Sequence, residues 1–573
     1  MEKQDYFSSS QFGFRTKLSA DLQVLHLIDN IQKAWRNNAS YLALFLDVKK
    51  AFDTVWHDGL LYKLHQELGL DGKMFHWLKS YLTGRRSKVK VGNAYSDWFD
   101  ILCGVPQGGV LSPLLFIIFI NSLNLQYKFA DDSAIGMEIP HMEPARTQAL
   151  GEYQILTYQV QRWFERWLLD LHPTKTVLRL FSRMSNQDMV ELKERITITL
   201  CNHHLKPESQ LENGNPTGTR YLGVWLDDRL TLDAHMEIIL TRVRERNNIL
   251  RTLAGTHWGG DQHTLLHFYK GWVRAAFEYC APALLLLASF SKLKELESLQ
   301  REALKAILGL NTLSAGISTE IECQTWPILL RFIHLTGRTG RRVALNPANP
   351  MNHQLREYIS ERPPATWPRT EKLRLYGGNP PRLTQLLQDT IFLTTPVEED
   401  TIDTPSPAVA TWQQWWDGHQ SSGKRYKAIQ PSVIGPDIRH ARPLRQKFGP
   451  TQVLDRKAHV LINRIRIGNC SHNRHQYDMH RHPNRECECG ATDSAEHRIC
   501  SCPLLGPERL ILLDKFSTLG VELSPQGLPT KEDMSDTTHY QAHKALTEFL
   551  TTTALDRLFV WRPASTPLNT NPP

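Results

Sequence analysis

Leu22, Leu25, Ile28 and Ile31 recur at helical spacing, with Trp35 one turn further on, and predict a first helix. Tyr41–Val48, apolar except for Asp47, reads as a strand buried on both faces. Leu60, Leu61, Leu64 and Leu68 form another helical stripe, with Gly69 as its stop. Gly84–Val91 reads as a turn leading into a strand with basic residues on one face. Pro113 suits the first turn of a helix containing Leu114–Ile120. Phe129–Ala134 is expected on a hairpin, and Val177–Phe181 and Tyr221–Leu226 as further strands. Helices mixed with a small sheet point to an α+β or α/β domain.

From about Asp233 to Leu310 the pattern becomes nearly all helical. Leu296, Leu299, Ala303, Ala306 and Leu310 mark a core-facing stripe, and Gly309 a C-terminal stop. Asn346–Pro381 and Thr394–Pro407 have linker composition, and Ala408–Gly468 resumes with tryptophans and basic residues. The tail Ala564–Pro573 is expected to be disordered.

At 573 residues the chain is too long for one ordinary domain. Its net charge of +8, with 24 histidines in reserve, suits a polyanionic partner. Met1–Ser10 lacks the apolar core of a signal peptide, and the greasiest runs, Leu114–Ile120 and Ala281–Ala288, are too short to span a bilayer. Cys103, Cys201, Cys280 and Cys323 are scattered, as reduced thiols are. The expectation is an intracellular protein, nuclear or cytoplasmic, without a membrane partner.

The candidate chemistry begins with Asp131-Asp132, adjacent carboxylates in a predicted turn, and Asp47 at the end of a predicted strand. Such a set suits a pair of hard divalent cations, Mg2+ or Mn2+, which take oxygen ligands and leave positions open for phosphate. Alone, an Asp-Asp doublet is ordinary turn chemistry. The surroundings add to it. Phe52, five residues after Asp47, could collide with a ribose 2′-hydroxyl, or could be a core aromatic. Gly104–Pro113 is a glycine-rich turn entering an apolar helix, and it carries Gln107 and Gly108. Lys175 in Leu171–Thr176, downstream of Trp163 and Trp167, is a candidate proton donor to a departing pyrophosphate, or a solvated lysine. Tyr221–Asp227 offers a surface on which a primer strand could rest.

The strings Gln11–Arg15, Leu46–Val55, Gly104–Phe116, Phe129–Asp132, Leu171–Thr176 and Tyr221–Asp227 together resemble the reverse transcriptase of non-LTR, LINE-type retrotransposons, most of all the jockey-like group. The resemblance covers roughly Gln11–Leu310 and implies a right-hand polymerase of partial fingers, palm and helical thumb. It implies metal carboxylates at Asp47, Asp131 and Asp132 and a sugar-gate role for Phe52. Substrate contacts would fall on Gln107, Gly108 and Arg15. The partners implied are an RNA template, a DNA primer or target, and dNTPs; oligomeric state stays open. The boundaries expected are 1–232 for fingers and palm, 233–345 for thumb and connection, 346–407 for a linker, 408–480 for a basic region and 481–510 for a zinc-knuckle-like segment. Compared with the family pattern, the chain starts late and the connection Asn121–Lys128 is short. The first suggests an N-terminally truncated copy, and the second a displaced strand at Asp131. The alternative to a polymerase is therefore a catalytically inactive nucleic-acid-binding remnant.

Cys487, Cys489, His497 and Cys502 offer three thiolates and an imidazole, a soft set suited to structural Zn2+, with Cys500 as a spare. The single residue between Cys487 and Cys489 is tighter than usual zinc spacing, so reduced thiols in a loop are the other reading. The resemblance extends to a Cys-Cys-His-Cys segment after the polymerase. His472, His475, His480, His482, Arg474, Arg481 and Arg485 lie just upstream and suit a nucleic-acid surface. The acids of Thr394–Gly468 lack strand context, and no RNase H activity is expected from them.

Overall fold

A computed structural model describes residues 6–355 apart from 209–210, 213–214, 217, 257 and 313, then 387, 412–413, 416–418, 456–467 and 483–556 apart from 527 and 531–534. Most of the expected linker and of the basic region up to 455, the histidines between 472 and 482 and the C-terminal tail lie outside the described residues. The start of the expected linker is described, and there Asn352–Leu355 is a short helix rather than a loop, with Asn346, Asn349 and Met351 buried. No helix among the described residues is long and apolar enough to cross a membrane.

The chain divides into two compact units. The first comprises 1–238, 279–289 and 335–392; the second comprises 239–278, 290–334 and 393–573. In the first unit α1 (Ala20–Arg36) leads into β1 (Ala39–Leu46), followed by α2 (His57–Tyr62) and α3 (Gly72–Leu82). Short strands β2 (Arg85–Ser87), β3 (Lys90–Val91), β4 (Ala94–Tyr95) and β5 (Phe99–Ile101) precede α4 (Ser112–Phe119). Then come β6 (Tyr127–Phe129), β7 (Asp132–Pro140), α5 (Ala145–Arg166) and β8 (Val177–Phe181).

The central sheet has four antiparallel strands in the order β6-β7-β1-β8. All eight residues of β1 are buried, which is why its sequence is continuous rather than alternating. Leu42, Leu44 and Leu46 join a core with Ile135, Ile139, Leu178 and Leu180 of the flanking strands. Phe116 and Phe119 of α4 and Tyr153, Val160 and Phe164 of α5 fill the same core. The strand ends at Leu46 rather than Val48, since beyond it Val48 makes only an isolated bridge to Leu171. The Gly84–Val91 strand is divided, with β2 pairing β5 and β3 pairing β4.

The short Asn121–Lys128 connection does not take β6 out of register: Tyr127, Lys128 and Phe129 face Ala134, Ser133 and Asp132. Buried Lys128 closes the connection by donating from Nζ to the carbonyls of Leu123 (2.8 Å) and Asn121 (3.3 Å). Burial pushes its pKa down to about 8.

The second unit is mainly helical. The helix Phe290–Leu308 buries Leu293, Leu296, Leu299, Ala303, Leu304, Ile307 and Leu308, and Gly309 ends it at a φ of +68°. The expected stripe is thus widened: Ala306 is half-buried, and Leu310 lies past the helix end. Near the C-terminus, the helices Gly506–Leu519 and Asp536–Thr552 share a core with Leu461, Ile465 and Ile499.

Candidate active site

The antiparallel register of β1 and β7 puts Leu46 opposite Ser133. The next step of this antiparallel register leads forward to Asp47 and back to Asp132, and the two are near enough for the charge of Asp47 to act on Asp132. The β6–β7 loop consists of Ala130 and Asp131 alone, so the third carboxylate projects from the same corner. A two-residue hairpin loop requires left-handed backbone, and Ala130 adopts it with φ of +56°. That conformation costs a residue with a Cβ about 1–2 kcal/mol, so neighbouring structure must hold the turn.

Buried Gln11 supplies part of that hold. Its Oε1 accepts from the Gly13 N–H (3.0 Å) and from the Ala130 N–H (3.3 Å). Phe12 N–H donates to the Lys128 carbonyl (2.8 Å) and Lys128 N–H to the Ser10 carbonyl (3.0 Å), so the segment lies directly against β6. At Gly13 a Cβ would stand 2.7 Å from the Ala130 nitrogen. Arg15 is buried beside this strut and donates to the Ser8 carbonyl (2.9 Å).

Asp47 is clasped from the other side. The His172 N–H donates to its carbonyl (2.8 Å), and its own N–H donates to Thr176 Oγ1 (3.3 Å). Lys175 is exposed in that loop, with its N–H on the His172 carbonyl (3.0 Å).

The carboxylates sense one another. Asp131 and Asp132 reach solvent, yet the protein around the turn screens them from much of the water. That desolvation pushes the Asp132 pKa up to about 6, with the charges of Asp131 and Asp47 adding to it and Arg220 pulling it back. Asp131 is raised by desolvation and by Asp47. Arg220 lies on the hairpin formed by Thr219–Tyr221 and Val224–Leu226, whose Tyr221 packs on Phe45 of β1 at 5.0 Å between ring centroids. Arg179 of β8 fixes this hairpin by donating to Thr219 Oγ1 (2.5 Å) and to buried Asp228 (2.6 Å).

A raised carboxylate pKa favours the folded state below the unfolded value, and that contribution is lost as pH rises through the folded value near 6. Asp132→Asn is therefore expected to raise the thermal midpoint of metal-depleted protein at about pH 7.5 and to change it little at about pH 3.5. A pH series of thermal melts checks this; equal shifts at both ends would contradict it.

Phe52 is half-buried and stacks on Phe116 of α4, with centroids 4.5 Å apart and planes at 19°. Its carbonyl accepts from the Val105 N–H (2.8 Å), which ties it to the glycine loop. Gly104 there has φ of +86°, and a Cβ would stand 2.5 Å from the Asp53 carbonyl oxygen. Gln107 is exposed and its amide donates to both Asp53 carboxylate oxygens (3.0 and 3.1 Å). Gly108 has φ of +83° and open space around it.

Residues 1–226, which carry the three carboxylates and the loops around them, match the family model described as reverse transcriptase (RNA-dependent DNA polymerase). That part of the chain is similar to reverse transcriptase domains. The chain is 29% identical over 319 residues to a probable RNA-directed DNA polymerase from transposon X-element of Drosophila melanogaster, covering 54% of this chain and 33% of that protein. It is 30% identical over 317 residues to the corresponding protein of transposon BS from the same fly, covering 52% and 32%. The RNA-directed DNA polymerase from mobile element jockey of Drosophila melanogaster is 29% identical over 250 residues, covering 41% and 25%. The chain thus spans about a third of the length of the X-element and BS relatives. Gln11, Gly13, His172 and Thr176 lie in strings marked in the sequence, but their task, holding the backbone that carries the carboxylates, shows only in the fold.

In the second unit the ligand atoms of Cys487, Cys489, His497 and Cys502 all lie within 4.8 Å of one another. The Cys487 and Cys502 sulfurs are 3.7 Å apart, and Cys489 Sγ is 3.1 Å from His497 Nε2. Two sulfurs bound at about 2.3 Å to one tetrahedral ion lie roughly 3.8 Å apart, so the spacing fits zinc. Cys500 is outside the group, its thiol on the Ser524 carbonyl at 3.5 Å. The tight Cys487–Cys489 spacing works because Gly490 turns at φ of +85° and the Gly490 N–H donates to the Cys487 carbonyl (2.8 Å).

Proposed function

We propose that this chain is the RNA-directed DNA polymerase of a non-LTR retrotransposon, extending a DNA primer on an RNA template by two-metal phosphoryl transfer. The observation that carries the reading is the convergence of Asp47, Asp131 and Asp132 at one end of the central sheet, close enough that the charge of Asp47 adds to the raised pKa of both Asp131 and Asp132. Carboxylates crowded in this way without a full set of countercharges suit divalent cations. Their oxygens are hard donors, and two of the three lie on a turn that leaves the outer side open. Bound there, two Mg2+ or Mn2+ ions would supply the charge that offsets the transferring phosphate and acidifies the primer 3′-hydroxyl.

The other residues have separable tasks. Phe52, braced by Phe116, stands where a bulky ring would reject a ribose 2′-hydroxyl. Gln107, oriented by Asp53, and Gly108, with open space before it, offer an amide and an accessible backbone to the nucleotide. Lys175 is exposed and can bring a proton to the departing pyrophosphate. Arg15 acts from within, by bracing the strut beneath Asp131. The central sheet with its helices corresponds to a palm, and the helical stretch from 233 to 345 to a thumb and connection, with the linker, basic region and zinc segment following.

The test is incorporation of labelled dNTP on a primed RNA template by the purified chain with Mg2+ or Mn2+. Metal-dependent extension that fails with ribonucleotides is expected. Salt-dependent template binding with no extension in either metal would instead leave a nucleic-acid-binding remnant.

We also propose that Cys487, Cys489, His497 and Cys502 hold a structural zinc ion. One equivalent of zinc per chain by elemental analysis is expected, falling by at least half in Cys487→Ser. Chelation is expected to lower the melting midpoint of the protein, because such sites couple metal binding to folding. Full zinc content in the variant would contradict the assignment.

A further inference from the structure

The segment between Arg85 and Ile101 has no part in the site described, and its composition is unusual for a surface hairpin. β2 with β5 and β3 with β4 form two successive rungs of one antiparallel arm, turning at Gly92 with φ of +60°. Two strands cannot bury a core of their own. Even so the arm displays Tyr95 and Trp98, each 54% exposed, and Phe99, 48% exposed. Cations sit among these rings: Lys88 Nζ is 4.2 Å from the Tyr95 centroid and 4.8 Å from that of Trp98. Lys90 stands over Tyr95 at 5.4 Å and Arg86 over Trp98 at 5.7 Å. Arg86 has Asp100 as a countercharge at 3.5 Å. No carboxylate pairs with Lys88 or Lys90 among the described residues.

Cross-strand ring and cation contacts help to hold an isolated arm together, and that accounts for part of the pattern. It leaves two ammonium groups without countercharge and the outer faces of the rings in water. Aromatic faces interleaved with cations match one ligand chemistry in particular, a single-stranded nucleic acid, whose bases stack while its phosphates meet the cations. A duplex hides its base faces and cannot use the rings.

The arm is rooted at the candidate active site. Arg85 at its base donates to the Gly104 carbonyl (2.6 Å), as does the His57 ring (2.8 Å). Gly104 in turn donates from its N–H to the Val55 carbonyl (2.7 Å), and Cys103 reaches the Asp53 carbonyl (3.3 Å). A strand lying on the arm is thus led towards the loop that carries Gln107.

We propose that Tyr95, Trp98, Lys88 and Lys90 form a docking platform for the single-stranded RNA template on its way to the site. The proposal rests on the polymerase reading for the identity of the strand, but its binding chemistry can be measured without catalysis. The test is fluorescence anisotropy of the full chain with a labelled, unstructured single-stranded RNA, in the absence of dNTP. Tyr95→Ala with Trp98→Ala is expected to weaken binding about tenfold or more, given what each stacked base contributes. Trp98→Phe should restore most of the loss at that position. Lys88→Gln with Lys90→Gln keeps the rings and should reduce the salt slope of binding by about one to two. All four side chains are exposed and outside the core, so the global melting midpoint should change little even though the arm loses some of its own ring and cation contacts.

Unchanged affinity in the ring variant would overturn the proposal, as would equal losses on a fully duplex RNA. Normal extension by the ring variant with unchanged template KM would sink the platform and leave the polymerase reading intact. Loss of RNA binding in a chain whose wild type shows no extension would do the reverse.

Discussion

Asp47→Asn is expected to reduce dNTP incorporation by about a thousandfold or more while leaving the chain folded. The residue sits one step past the end of β1, the most completely buried strand of the first unit, and its backbone is gripped by His172 and Thr176. None of those contacts uses the carboxylate, so exchanging one oxygen for an amide nitrogen leaves the support in place. On the proposed reading, what is lost is an anionic ligand to a cation whose contribution to phosphoryl transfer would amount to several kcal/mol, and each 1.36 kcal/mol is about tenfold in rate. Steady-state incorporation, with circular dichroism as the check on folding, reads the effect. A loss of less than about tenfold would place the cation elsewhere.

Gly13→Ala is the second large effect, and it acts without touching substrate. The new methyl group would lie 2.7 Å from the Ala130 nitrogen and 3.0 Å from the Phe129 carbonyl carbon, both backbone atoms that cannot rotate away. The strut or the turn must shift, and the turn is the weaker of the two because Ala130 already holds left-handed backbone. Displacing Asp131 by about an ångström is expected to cost about a hundredfold in incorporation. Template binding should be unaffected, which separates displacement of the turn from general unfolding. Gln11→Ala, which leaves the Gly13 and Ala130 N–H groups unpaired, should fall in the same direction.

These two residues mark where the sequence stopped being readable. The β1 run and the Asp131-Asp132 turn were legible because burial on both faces and a two-residue hairpin each leave a local signature. The helix starting near Pro113 and the stop at Gly69 were legible from local signals too, whereas Tyr221–Leu226, expected as one strand, is broken at Leu222-Gly223 into a hairpin. By contrast, Gln11 reaches its partner Ala130 across 119 residues of sequence, and no spacing rule reports a contact of that range. The clasp of His172 and Thr176 on Asp47 is equally non-local. The short Asn121–Lys128 connection was expected to displace Asp131. The buried ammonium of Lys128, which ties the connection shut, does not announce itself as a structural lysine in sequence. The helix Phe290–Leu308 buries a broader face than its leucine spacing suggested, since Leu304 and Ile307 are covered as well. The Cys/His cluster was legible as a set of residue types, but only the turn at Gly490 shows how so tight a spacing converges.

The central claim is that DNA synthesis on RNA takes place at the carboxylates brought together by β1 and the β6–β7 turn. The most direct measurement compares wild type with the double variant Asp131→Asn and Asp132→Asn in primer extension on an RNA template, at matched template occupancy. The account predicts Mg2+- or Mn2+-dependent extension by the wild type and none by the variant, with both binding template equally. Equal extension by the two proteins would contradict it.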